Sequence, residues 1–184
     1  MLEGKNVNLR VWEREDADFI AEFISNIDFI GEYVPIEQES KSYRLKRSFD
    51  NPPADWTLTD QKPFIIQKKD GTKIGLITSR LILPYGWREI GACDIVPSER
   101  GKGYGTEATQ LMTDYLFLSI DIGRIQTVTD VRNKPAQRTL EKAGFQGEGT
   151  IRKALFNKGE WRDCYLYSIL REEWKEPKIL TKTT

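Results

Sequence analysis

The chain has 184 residues, 39% of them hydrophobic and 30% charged, enough for a single soluble domain that buries its own core. Its 28 basic and 28 acidic residues cancel, leaving no global field to favour nucleic acid or an anionic membrane surface. There is no histidine, which excludes Ser-His-Asp and Cys-His nucleophile chemistry and HExxH metal sites, and leaves acid–base work to carboxylates, Tyr, Lys, Cys or the backbone.

The opening MLEGKNVNLR lacks the apolar stretch of a secretion signal, and no apolar run approaches the ~18–20 residues of a membrane span. Residues 7–11 alternate as a strand, and Ile20, Phe23 and Ile24 set helical spacing over 17–24. The stretch 33–62 is irregular in pattern. Within it, 40–49 reads as a short basic helix broken at Asn51-Pro52-Pro53. Residues 63–68 and 73–83 read as strands joined at Asp70-Gly71, and 88–96 as a further strand ended by Pro97. An amphipathic helix is expected over 106–118, with Ala108, Leu111, Met112, Tyr115 and Leu116 on one stripe. A strand at 124–131 precedes a short helix at 133–142, with Asn133 as N-cap, Pro135 in the first turn and Gly144 as C-cap. Gly159-Glu160 turns a last hairpin into 161–170. This series predicts an α+β fold: one domain over 1–175 with a mixed, mostly antiparallel sheet flanked by helices, then a frayed polar tail at 176–184.

Between the strand ending at Val96 and the helix lies Pro97-Ser98-Glu99-Arg100-Gly101-Lys102-Gly103-Tyr104-Gly105. A glycine-rich turn opening a helix is an anion site, because the first amides of a helix lack internal acceptors and glycine lets backbone approach a phosphate closely. Arg100 and Lys102 add two cations. The letters do not fit a P-loop, and the GxGxG spacing departs from the GxGxxG of a dinucleotide fold.

Three blocks in this order resemble the GNAT superfamily of acetyl-CoA-dependent N-acetyltransferases: Val96-Pro97-x-x-Arg100-Gly101-x-Gly103-x-Gly105, the run from Asn133 to Phe145, and Gly159 to Asp163 with the strand that follows. The third block, with Leu9-Arg10 and Asp16 near the start, is similar to the RimJ/RimL branch. The resemblance implies an N-acetyltransferase fold and acetyl-CoA as cosubstrate. Asp94, Ile95 and Val96 would pair by backbone with the pantetheine arm. Arg100, Gly101, Lys102, Gly103, Tyr104, Gly105 and Thr106 would hold the pyrophosphate, and Asn133 would stand near the reactive end. It further implies direct attack by a primary amine, from a protein N-terminus or a small molecule; the two cysteines, read as reduced, place the protein in the cytoplasm, and a homodimer stays open. An acetyl-CoA-binding sensor without turnover is the alternative.

Four carboxylates compete as general base: Glu89, Asp94, Asp130 and Asp163. Glu89 comes first, since Glu89-Ile90-x-x-Cys93 resembles the catalytic strand of the histone acetyltransferase branch; Asp163 is second, and an ion pair is the alternative role for either. Leu140 and Ala136 stand where relatives carry Tyr and Ser, which leaves the general acid open. Tyr33, Tyr43, Trp56 and Trp87 fall in segments with which relatives wall the acceptor cleft. Cys93 and Cys164 form no CxxC and read as reduced thiols, so no metal is expected.

Overall fold

The structure, a computed structural model, describes residues 1–33, 40–45, 50, 63–82, 84–175 and 177–179. The strands are β1 Leu2–Glu3, β2 Val7–Val11, β3 Phe64–Lys68, β4 Lys73–Ile82, β5 Trp87–Ile95, β6 Arg124–Asp130, β7 Gln146–Asn157 and β8 Glu160–Leu170. The helices are α1 Ala17–Ser25, α2 Ile27–Ile30, α3 Lys41–Leu45, α4 Tyr104–Ser119 and α5 Lys134–Ala143. The strands form one sheet in the order β1-β2-β3-β4-β5-β6-β8-β7. Every neighbouring pair is antiparallel except β5 and β6, which run parallel.

Strand alternation divides the core between two faces. Val7, Leu9, Phe64, Ile66, Ile77, Ile90 and Ile125 pack on one face against Ala108, Leu111, Met112 and Leu116 of α4 and Leu140 of α5. On the other face Ile65 meets Trp12 and Ile20, beneath α1. Asp16 fastens α1 to this side. It is fully buried, Arg10 holds both its oxygens at 2.8 Å, and Lys73 reaches it at 2.5 Å. Burial alone would raise this carboxyl, but the hydrogen bonds from Arg10 and Lys73 hold it well below the usual range.

The expected mixed, mostly antiparallel sheet is found, with departures from the expected elements that include the unforeseen short helix α2. Strand β7 had no sequence signal. It is an outer strand, paired only to β8, and nearly all of it is exposed. No buried face imposes alternation on such a strand, and Gly147, Gly149 and a positive φ of 50° at Lys153 interrupt the pattern. The two-residue β1 is too short to show a period. Of the expected polar tail at 176–184, residues 177–179 are described: the amides of Lys178 and Ile179 donate to the buried Asp114 at 2.5 and 3.0 Å, and Trp174 Nε1 just before them donates to its other oxygen at 2.7 Å. Asn133 and Gly144 cap α5 as expected: Asn133 Oδ1 accepts from Ala136 N–H at 3.2 Å, and Gly144 is left-handed.

Candidate active site

The site begins where β5 and β6 part. Their ladder is confined to Arg88 with Ile125 and Glu89 with Gln126. Beyond that point β5 stays paired to β4 and β6 to β8, so the facing edges of Ile90–Ile95 and Thr127–Asp130 have no strand partner among the described residues. A bulge marks the parting: Gly91 and Ala92 together oppose Thr78, whose Oγ1 accepts from Ala92 N–H at 3.0 Å. Past the bulge, Val96 N–H points at Ile74 of β4. Alternation therefore turns the N–H and C=O groups of Cys93 and Ile95 into the split and those of Asp94 towards β4. Of Asp94, Ile95 and Val96, only Ile95 presents backbone to the split, and Cys93, not assigned from sequence, joins it.

The glycine-rich loop follows directly. Gly101 and Gly103 have φ of +75° and +88°, and the place a Cβ would occupy at each is open space. A side chain at either would meet backbone strain of ~1–2 kcal/mol. None of the amides from Gly101 to Thr106 donates to an acceptor among the described residues; the first bond after them is Glu107 N–H to Gly103 O at 3.1 Å. Six unpaired amides at the positive end of a 16-residue helix suit a phosphate. Lys102 lies beside them, paired with Glu99 at 2.9 Å, and Lys68 approaches Glu99 at 3.5 Å.

Arg100 is engaged differently from its sequence reading. Its Nε donates to Ile95 O at 2.8 Å, and its Nη2 donates to Phe29 O beside α2. Both acceptors are backbone carbonyls, so the guanidinium stitches the chain together and does not stand as a free loop cation.

The four carboxylates have distinct surroundings. Glu89 is buried and pairs with Arg80, its register partner on β4, on the face covered by α1. Asp130 is buried between Arg132 at 3.3 Å and Arg162 at 3.2 Å. Burial would raise its carboxyl, but hydrogen bonds from Arg132 and Arg162 hold it below its ordinary value. Asp163 accepts Lys153 N–H at 2.8 Å, a strand-bracing bond in place of the expected pair with Arg152 or Arg162. Asp94 is half-buried and pushed up to about 6 by burial, with Arg100 pulling the other way.

Cys93 settles one chemical choice. Burial pushes its thiol up to about 12, Thr109 pulls it down, the charge of Asp94 adds to the rise, and its Sγ donates to Gly105 O at 3.6 Å. A neutral, hydrogen-bonded thiol is a poor nucleophile, which disfavours an acyl-enzyme. Leu140 is core, and Tyr167 donates its hydroxyl to Glu141 at 3.2 Å, so neither stands ready as the acid. Trp87 stacks on Tyr85 with ring centroids 4.8 Å apart, and Arg124 lies over its ring at 5.3 Å. Tyr43 is exposed. Trp56 and the end of the basic 40–47 patch lie outside the described residues.

Comparison with known proteins points to one family. The family profile described as an acetyltransferase (GNAT) domain matches residues 6–146. The uncharacterized N-acetyltransferase YnaD of Bacillus subtilis (strain 168) is 30% identical over 92% of this chain and 96% of its own length. A spermidine N(1)-acetyltransferase of Escherichia coli (strain K12) is 26% identical over 95% of this chain and 91% of its own. The crystal structure of a GNAT-family acetyltransferase from Bacillus anthracis superposes with a TM-score of 0.75 at 26% identity, covering 93% of this chain and 98% of that one.

Proposed function

Because this chain belongs to the GNAT acetyltransferase family and is an acetyl-CoA-dependent N-acetyltransferase, we propose that it acetylates a primary amine, on a small molecule or a protein N-terminus, by direct attack in a ternary complex. The observation that carries the reading is the split between β5 and β6 opening onto the unpaired amides of Gly101 to Thr106. A thioester-bearing arm fits along the split, with its pyrophosphate on the loop.

The residues divide the work as follows. The loop amides and Lys102 hold the pyrophosphate, with Tyr104 and Thr106 in the first turn of the helix beneath it. The backbone of Cys93 and the N–H of Ile95, whose carbonyl is taken by Arg100, pair with the pantetheine arm, and one of the two N–H groups stabilises charge on the thioester oxygen as it develops. Glu89, at the closed end of the split, takes the proton from the ammonium, directly or through a water. The amine nitrogen then attacks the carbonyl carbon, the C–S bond breaks, the nitrogen loses its second proton to solvent, and the thiolate is protonated from solvent or from a water held by Asn133. Arg80 holds Glu89 in place. The spermidine N(1)-acetyltransferase relative supports a small-molecule amine, and the RimJ/RimL-like hairpin at 159–170 supports a protein N-terminus. A cytoplasmic location fits two free thiols and the supply of acetyl-CoA.

The test is thiol release from acetyl-CoA across a panel containing spermidine, simple primary amines and peptides with free N-termini. Turnover with one class assigns the acceptor. Binding of acetyl-CoA with no turnover on any amine would instead support the sensor reading.

A further inference from the structure

The last turn of α2 and the two residues after it run between the two banks of the split. On the β5 bank, Arg100 holds Phe29 O, and Gly31 lies 3.6 Å from Arg100 Nη1, measured from the place its Cβ would occupy. On the β8 bank, Glu32 O accepts from Asn157 Nδ2 at 3.0 Å and from Arg162 Nη1 at 3.3 Å. Arg162 in turn binds Asp130 at the end of β6, so Phe29–Glu32 bridges from the end of β5 to the end of β6. Gly31, with a φ of +76°, supplies the bend. Each anchor is itself fixed. Arg100 is bonded to the last carbonyl of β5. Arg162 is buried and bound to Asp130 and Glu160, and Asn157 is buried at the hairpin turn.

We infer that Phe29–Glu32 is a strap across the mouth of the split, and that Arg100 is a positioning residue that couples this strap to the pyrophosphate loop. The physical reason is economy of contact. One guanidinium sits in the loop, closes on the end of β5 and grips the strap, so a ligand that stiffens the loop also stiffens the strap. The strap then limits what reaches the thioester from this side. The inference rests on the reading of the loop as a coenzyme A site.

The experiment uses the endoproteinase that cuts after glutamate, since Glu32 is exposed and its own carbonyl is the one held by Asn157 and Arg162. Cleavage at Glu32–Tyr33 is followed by mass spectrometry, with Glu141–Lys142 on α5 as internal reference, while calorimetry reads coenzyme A affinity. Asn157→Asp replaces the donor with an acceptor, and should raise cleavage at Glu32 about tenfold without changing Glu141. Coenzyme A should slow cleavage at Glu32 in the wild type. In Arg100→Lys that protection should vanish while coenzyme A affinity stays within about twofold. Equal protection in Arg100→Lys, or unchanged cleavage in Asn157→Asp, overturns the strap. A tenfold loss of coenzyme A affinity in Arg100→Lys makes the arginine a cofactor cation and overturns the coupling. A wild type that fails to bind coenzyme A at all sinks the underlying site reading as well, and so is told apart from these.

Discussion

At the scale of single residues, the site turns on which polar groups are spent and which are left over. Asp130 and Asp163 are spent on structure, while Glu89 stands at the parting of β5 and β6 with one arginine beside it. Glu89→Gln should lower turnover by roughly 10²–10⁴-fold and leave coenzyme A affinity nearly unchanged. Its defect should shrink towards pH 10, where the amine is already deprotonated; a wild-type rate with an unshifted pH profile would remove Glu89 from the mechanism. Cys93 makes the opposite case, since a thiol pushed up to about 12 has no thiolate to offer near neutrality. Cys93→Ala should retain turnover within about threefold, measured by thiol release, and a loss of ~10³-fold would restore a covalent route. Gly103→Glu places a charge and a left-handed non-glycine in the loop at once. A folded Gly103→Glu protein should show no measurable binding of coenzyme A by calorimetry.

Among the elements, the attachment of α1 to the sheet depends on a single buried carboxylate. Asp16 is matched by Arg10 and Lys73, and removing one member of such a cluster leaves buried charge without a partner. Asp16→Asn should cost about 3–5 kcal/mol in urea unfolding. The pH dependence has a definite sign. The folded carboxyl lies below its unfolded value of about 3.8, so its contribution is present above that pH and is lost as pH falls. Wild-type stability should drop on acidification below about pH 4, and the Asp16→Asn curve should be flatter over the same range. The C-terminal end of α4 is closed in a comparable way by one side chain. Arg171 donates to the carbonyls of Phe117, Ile120 and Ile122 at 3.0, 2.7 and 2.8 Å.

Over the whole molecule, the helix that opens at the glycine-rich loop holds Trp174, Lys178 and Ile179 further along its length. Asp114 is buried on α4 and accepts three bonds from residues 174–179. Asp114→Ala should free that segment, seen as faster proteolysis after Lys178, and should lower the melting temperature. No cluster of three or more acidic or sulfur ligands that could hold a metal occurs among the described residues. Turnover is accordingly expected to survive a chelator; activity that is lost with chelator and restored by zinc would refute this.

The strongest features of the chain were legible from its letters for a local reason. The loop from Arg100 to Gly105 and the capped helix from Asn133 to Gly144 are made by neighbours in sequence, where glycine φ preferences and unpaired helix amides act without help from the rest of the fold. The α4 stripe was legible because its period follows from helix geometry. What the tertiary structure alone decided is where long-range partners fall. Arg100 read as a loop cation until Phe29, 71 positions away, took its guanidinium. Arg80 became the partner of Glu89 only through the register of β4 on β5, and Cys93 faced the split only because a bulge at Gly91 and Ala92 reset the alternation. The exposed strand β7 left no pattern because no buried face selects one, and Trp174, Lys178 and Ile179 docked because a buried aspartate 60 to 65 residues upstream required donors.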